Sequence, residues 1–214
     1  MKHNYILIGW NERSKNLIQL FNKHDPSINI TLVDSTLKRK PEDIYNIQFV
    51  QGDATNVSVL NEAHIKNTKK LIITSNIHID EEHSDLFCLQ VSLIAKTLNP
   101  NIEVFTELLM KKNIDNAERV GANRVLNTNQ FLYKLMFHEV FGNQLEKSPL
   151  QQLVQQDYKV ISTPQYLIGE TFRTCYIQLL QKGHLVIGVE SHGNILINPR
   201  SDSKLHEYHR LIAI

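Results

Sequence analysis

Short apolar runs recur through the first 127 residues, each closed by a polar or glycine-containing turn and followed by a stretch of helical period. The first, Tyr5-Ile6-Leu7-Ile8, meets Gly9 and the polar turn Trp10–Ser14 before an amphipathic segment carrying Leu17, Leu20 and Phe21. Strand, tight turn and helix in that order open a mononucleotide-binding βαβ unit, whose helix N-terminus faces an anionic group. Ile28–Val33 alternates into a second strand ending at Asp34, and Ile47–Val50 is a third. The Gln51–Thr55 turn leads into a helix through Ala63 that Asp53 or Thr55 can cap. Leu71–Thr74 is a fourth strand. The following helix, Glu82–Leu98, is apolar on nearly all sides, a pattern that predicts cover on both sides. Asn99-Pro100 stops it. Ile102–Phe105, a helix over Met110–Val120 closed by Gly121, and a short strand Arg124–Leu126 complete the series. Six strands alternating with helices predict a Rossmann-like α/β fold, a doubly wound parallel sheet over residues 1–127.

The pattern changes at Thr128. Phe131, Leu135, Met136, Phe137, Val140 and Phe141 belong to a helix whose apolar residues wrap most of its circumference, wider than one sheet face requires. Such a helix is buried within the chain or packs against a second copy; we read it as a dimer interface. With the short helix started by Ser148-Pro149, it makes residues 128–157 a helical crossover and dimerisation hairpin. The remainder, 158–214, reads as a small α+β lobe. Val160-Ile161 is a strand, Pro164–Ile168 an extended link and Gly169–Leu180 a helix. Leu185–Val189 and Ile195–Ile197 pair across a His192-Gly193 turn, and Leu211–Ile214 closes the sheet.

Composition narrows the function classes. With 214 residues, 42% hydrophobic and 21% charged, the chain is an ordinary globular protein with room for a real core. A net charge of +1 speaks against a dedicated nucleic-acid binder. Cys88 and Cys175 lie in apolar helical contexts and read as buried free thiols, without CxxC spacing. No stretch reaches the roughly 20 apolar residues of a membrane-spanning helix, so the expectation is a cytosolic body.

The first turn departs from the dinucleotide fingerprint G-x-G-x-x-G: it reads Gly9-x-Asn11-x-x-Ser14, and Asn11 puts a side chain where backbone would approach a pyrophosphate. Asp34, closing the second strand, is placed for a ribose hydroxyl pair, as against an ordinary solvated strand end. Lys38-Arg39-Lys40 reads as a solvated loop. The candidate ligand-binding residues are Gly9, Asn11, Glu12, Arg13 and Ser14, with Asp34, Asp53 and Ser75 from later strand ends. His78-x-Asp80-Glu81-Glu82-His83 offers mixed nitrogen and oxygen ligands to a divalent metal; its plainer reading is an acidic helix start that complements the helix dipole. His206-x-x-His209 reads as solvent-exposed polar filling. Neither G-x-S-x-G nor a P-loop occurs, and the C-terminal lobe offers no evident acid/base residue, so an NAD(P)-dependent oxidoreductase is the weaker reading.

Ile8–Glu12, Asp34, Gln51–Thr55 and Val120–Val125 together resemble the RCK (regulator of potassium conductance) family. Leu167–Phe172, Leu185–Val189 and Ile195–Pro199 resemble its C-terminal ligand-binding lobe, so the likeness spans essentially the whole chain. The resemblance implies the cytosolic gating domain of a bacterial two-helix potassium channel, at the cytoplasmic face of the membrane. It implies an intertwined homodimer that assembles into an octameric ring beneath the pore domain. A soluble regulatory subunit of a potassium-uptake transporter is the alternative. It leaves three ligands open: an adenine nucleotide, a cyclic dinucleotide in the C-terminal lobe, or a divalent cation. Calcium-gated members carry a Glu-x-Glu pair after the fifth strand. Here the first falls on Glu107 and the second on Leu109, while their Asp after the fourth strand falls near Ser75. Glu107 and Asp80 remain as candidate cation ligands, too few carboxylates for a hard cation, which wants several oxygens.

Overall fold

The computed structural model describes residues 4–141 and 158–214. The chain divides into two compact units, Met1–Val140 and Phe141–Ile214. The expected helix at Ser148-Pro149, and with it the hairpin, lies outside the described residues.

In the first unit, β1 (Asn4–Ile8), β2 (Asn29–Asp34), β3 (Ile47–Gln51), β4 (Lys70–Ile73), β5 (Glu103–Leu108) and β6 (Arg124–Asn127) form one parallel sheet in the order β3-β2-β1-β4-β5-β6. The order reverses between β1 and β4, where Ile8 pairs with Val33 on one side and Ile73 on the other. That crevice is where doubly wound sheets bind ligands. Alternation along each strand separates two cores. Ile6 and Ile8 point into one with Leu71, Ile73, Cys88 and Val91; Leu7 points into the other with Ile18, Ile30 and Leu32. The helices α1 (Glu12–His24), α2 (Val57–Glu62), α3 (Glu81–Leu98), α4 (Ile114–Arg119) and α5 (Thr128–Phe141) connect or follow the strands.

Four local expectations change. Asn56, not Asp53 or Thr55, caps α2, its side chain accepting from the Ser58 amide, because Asp53 Oδ1 already accepts from the Thr55 amide and hydroxyl. The strand expected over Ile102–Phe105 extends to Leu108, since Thr106–Leu108 pair with Val125–Asn127. The helix expected from Met110 begins at Ile114 after a 3-10 turn at Lys111–Asn113. The buried carboxylate of Asp85 takes the amides of Leu109 and Met110 and the Asn113 side chain, which holds this segment out of an α-helix. Among the described residues helix α3 is not covered on both sides: Leu86 and Leu93, seven residues apart on one stripe, are 53% and 52% exposed. At its end Asn99 does more than stop it, its side-chain amide donating to the Ile65 and Thr68 carbonyls.

Helix α5 buries none of its residues. Met136 is 66% exposed and Val140 74%, with Phe131 and Phe137 also more than half exposed.

The second unit is an antiparallel sheet of β7 (Lys159–Ser162), β8 (Val186–Ser191), β9 (Asn194–Ile197) and β10 (Arg210–Ala213), ordered β7-β10-β8-β9. Its helix α6 (Phe172–Leu180) starts later than Gly169, where the Thr171 hydroxyl accepts from the Thr174 amide. Phe172, Cys175 and Leu179 pack on Val186, Val189 and Leu211. Residues Gln165–Leu167 form a 3-10 turn, not an extended link, which turns Leu167 into that core. The β8–β9 turn has His192 at φ 51° and Gly193 at φ 85°, the paired positive angles of a type I′ hairpin.

Candidate functional site

A cavity of about 310 Å³ opens at the C-terminal ends of the central strands of the first unit. Its walls are the ends of β1 (Ile8–Asn11), β2 (Val33–Thr36), β3 (Gly52–Ala54) and β4 (Thr74–Ile79), closed behind by Phe87 of α3. The volume is at the lower end of small-molecule sites.

Gly9 adopts φ +90°, and a Cβ there would lie 2.8 Å from Thr74 Oγ1, so the first turn tolerates only glycine. Helix α1 starts one residue after Asn11. The Asn11 side chain accepts from the Ser14 amide while the Ser14 hydroxyl accepts from the Asn11 amide, a reciprocal capping box. The Asn11 amide group also donates to Thr74 Oγ1 at 3.0 Å, which itself donates to the Ile8 carbonyl. The polar residue in the fingerprint is thus part of the scaffold, stitching β1 to β4.

Asp34 is buried, and both of its oxygens are engaged. Its Oδ1 accepts from the Thr36 amide (2.7 Å), the Thr36 hydroxyl (2.6 Å) and the Leu37 amide (2.8 Å), and its Oδ2 accepts from the Trp10 amide at 2.8 Å. Only Oδ2 keeps room for a further donor, so this carboxylate can take one ligand hydroxyl while it pins the first turn to β2.

On the β5 side of the crevice a second carboxylate organises the chain. The buried Glu107 Oε2 accepts from the Ser75 amide at 2.8 Å and pairs with Arg13 at 3.1 Å, and Oε1 accepts from the Thr128 hydroxyl. Arg13 Nη2 also donates to the Ser75 carbonyl and hydroxyl, at 3.0 and 3.1 Å. One knot therefore joins α1, the end of β4, β5 and the first residue of α5.

Of the sequence-predicted ligand residues, Gly9, Asn11, Asp34, Asp53 and Ser75 share the cavity wall. Arg13 and Ser14 do not line it: Ser14 sits in the capping box and Arg13 in the knot. Glu12 lines a neighbouring cavity of about 430 Å³, together with Lys15, Arg39, Lys40 and Asp43. There Lys15 and Asp43 pair, the contact holding the Asp43 carboxyl below the usual carboxylate range. Lys38-Arg39-Lys40 is thus a surface loop in part: Arg39 pairs with Glu42, both largely exposed. Sequence reasoning missed Trp10, which lines both cavities, and Thr74, Ile77, Ile79 and Phe87. Of these only Thr74, the last residue of an apolar run, carried a signal.

Glu107 and Asp80, the candidate cation ligands, each have partners within the protein. Glu107 is occupied by Arg13, Ser75 and Thr128. Asp80 caps α3, accepting from the His83 amide at 3.1 Å and contacting the His83 ring at 2.6 Å, and the amide contact lowers its carboxyl pKa. Glu81 accepts from Asn129 and Glu82 pairs with Lys112. Among the described residues no group of three or more His, Cys, Asp or Glu side chains is placed to hold a metal. His206 and His209 pack around Tyr208, with His209 Nδ1 accepting from the His206 amide.

The TrkA-N domain family matches residues 5–128, more than half of the chain and all but the first residue of the parallel sheet. The chain belongs to the TrkA-N domain family. This TrkA-N chain is 28% identical over 215 residues to the putative potassium channel protein YugO of Bacillus subtilis (strain 168), covering 98% of the chain and 64% of that relative's length. The human SLO3 gating ring matches 98% of the chain and 44% of its own at 12% identity, with a TM-score of 0.71. The GsuK channel bound to NAD matches 99% of the chain and 36% of its own at 20% identity, with a TM-score of 0.52. These two likenesses are of fold. Among the described residues, no helix is long and apolar enough to cross a membrane.

Proposed function

We propose that this chain is the regulatory, ligand-sensing part of a potassium channel, acting at the cytoplasmic face of the membrane. An adenine nucleotide in the crevice biases how two copies meet through α5, and dimers assemble into a gating ring, an octamer, that pulls on the pore. The potassium-channel name of a relative aligned along nearly the whole chain supports this, as do the gating-ring fold and the NAD seen in the GsuK channel. The observation that carries it is the hydrogen-bonded connection from the cavity wall to the exposed helix: Ser75 to Glu107 to Thr128, where α5 begins.

The physics is linkage. A nucleotide shifts the dimer only by its difference in affinity for the two arrangements. Moving a population from 1:99 to 99:1 takes about 5.5 kcal/mol of differential binding, which the subunits of a ring can share. The crevice acts as a sensor and not a catalytic centre, because its carboxylates Asp34 and Asp53, and Glu107 beside it, are engaged in holding the turns that form it.

The test is a melting and sedimentation series of the purified chain with AMP, ADP and ATP. Ligand at a hundred times its dissociation constant adds about 2.7 kcal/mol to stability, a clear rise in Tm. Thr128→Val, which removes the hydroxyl from Glu107, is expected to leave that rise in place while abolishing the nucleotide-dependent change in sedimentation. No rise with any of the three nucleotides at millimolar concentration would overturn the nucleotide reading. A sedimentation response unchanged in Thr128→Val would overturn the connection.

A further inference from the structure

The two halves of the crevice are unlike, and the difference sets the size of ligand the site accepts. A doubly wound sheet binds a dinucleotide across its switch point, one mononucleotide over each half. In this chain the cavity is walled by the ends of β1, β2, β3 and β4, with no contribution from β5 or β6 among its lining residues. On that other side, the crevice is crossed by Arg13. Its guanidinium spans from α1 to the Ser75 carbonyl and hydroxyl and to Glu107, and Glu107 is fastened in turn to Thr128. The pair is charge-neutral, so Arg13 offers little attraction to a second phosphate while it is held there. The open half retains what an adenosine moiety needs: the free lone pair of Asp34 Oδ2, and the apolar Ile77, Ile79 and Phe87 against which a base can lie.

We infer that Arg13, fixed by Ser75 and Glu107, is a specificity-determining residue that closes the β4–β5–β6 half of the crevice, so the site takes an adenine mononucleotide and rejects a dinucleotide such as NAD. This rests on the nucleotide reading of the cleft and separates the chain from the GsuK channel, which has been seen with NAD. The guanidinium is a cation supplied by the protein itself, lying on the carboxylate that the RCK resemblance had left for a metal.

The experiment is a calorimetric ladder of AMP, ADP, ADP-ribose and NAD on the whole chain, wild type and Arg13→Ala, with Arg13→Lys as a variant that keeps the charge but loses the planar fork. The wild type is expected to bind ADP at least about tenfold more tightly than NAD, and Arg13→Ala to bring the two within about threefold. Arg13→Lys falls between them. Wild-type NAD binding as tight as ADP overturns the inference, as does an NAD-to-ADP ratio unmoved in both variants. Should Arg13→Ala not fold, Arg13→Lys and the wild-type ladder decide it alone. Failure of every ligand to bind removes the nucleotide reading and this inference with it, whereas ADP binding with an unmoved ratio removes only the inference.

Discussion

Helices α3 and α5 are both rich in apolar residues, and the fold treats them in opposite ways. Helix α3 buries Ser84, Asp85, Cys88, Val91, Ser92 and Ala95 against the sheet; α5 buries nothing. The buried face of α3 is partly polar, and its polar groups are matched: Asp85 by two amides and Asn113, Ser92 by the Cys88 carbonyl. On α5 the large side chains Phe131, Met136 and Val140 stand in solvent. Hydrophobicity along a helix therefore reports a demand for cover, not where the cover comes from. In α3 the demand is met mostly inside the chain. In α5 the described residues leave it open, on a scale that marks interaction surfaces.

The sharpest break of this contrast is Asp85→Ala. It strands the buried Leu109 amide, the half-buried Met110 amide and the Asn113 side chain, and a loss of about 3 kcal/mol in urea unfolding is expected. An unchanged midpoint would show that α3 is held by its apolar residues alone. Next is Met136→Asp on α5, which should weaken association by about 2 kcal/mol, the scale of an interface anchor, seen as a shift to smaller species in sedimentation. Its unfolding free energy as a monomer should stay within about 0.5 kcal/mol, because the side chain is exposed there. A large loss of monomer stability would place α5 with α3 as an element of the core.

The smallest effect concerns the start of α3. The Asp80 carboxyl is held below its ordinary value of 3.8, chiefly by the His83 amide. A lowered carboxylate contributes stability that is complete above the unfolded value and lost as pH falls through the folded one. Amide exchange in the first turn of α3 should therefore quicken below about pH 3.8 ahead of the rest of the helix, and Asp80→Asn should flatten that dependence.

How much of this was legible follows from the range of each interaction. Strands and turns were, because Tyr5–Ile8 against Gly9, or Leu71–Ile73 against its flanking lysines, announce themselves over a few residues. So was the place of the crevice, since Asp34 ends a strand and Gly9, Gly52 and Ser75 lie just beyond one. What each polar residue does there was not. Asn11 looked like an obstacle to a pyrophosphate and is a helix cap fastened to Thr74. Asp34 looked like a ribose ligand and is first a brace for Trp10 and Thr36. The pairing of Arg13 with Glu107, and of Asp85 with the Leu109 and Met110 amides, joins positions that only the closed sheet brings together. Local pattern carries no trace of such contacts. The width of the apolar surface on α5 was readable, but the sequence left open whether this chain or another would cover it.

The two cysteines have a practical bearing on how the proposed sensor can be watched. Burial pushes the Cys88 thiol to about 12 and the Cys175 thiol to about 11, and neither reaches the surface. At neutral pH both are chemically mute, since thiolate is the form that reacts. A single cysteine engineered at an outward position of α5 would thus carry a spin label or fluorophore without background from the native thiols, and distances between labelled copies could be followed as nucleotide is added.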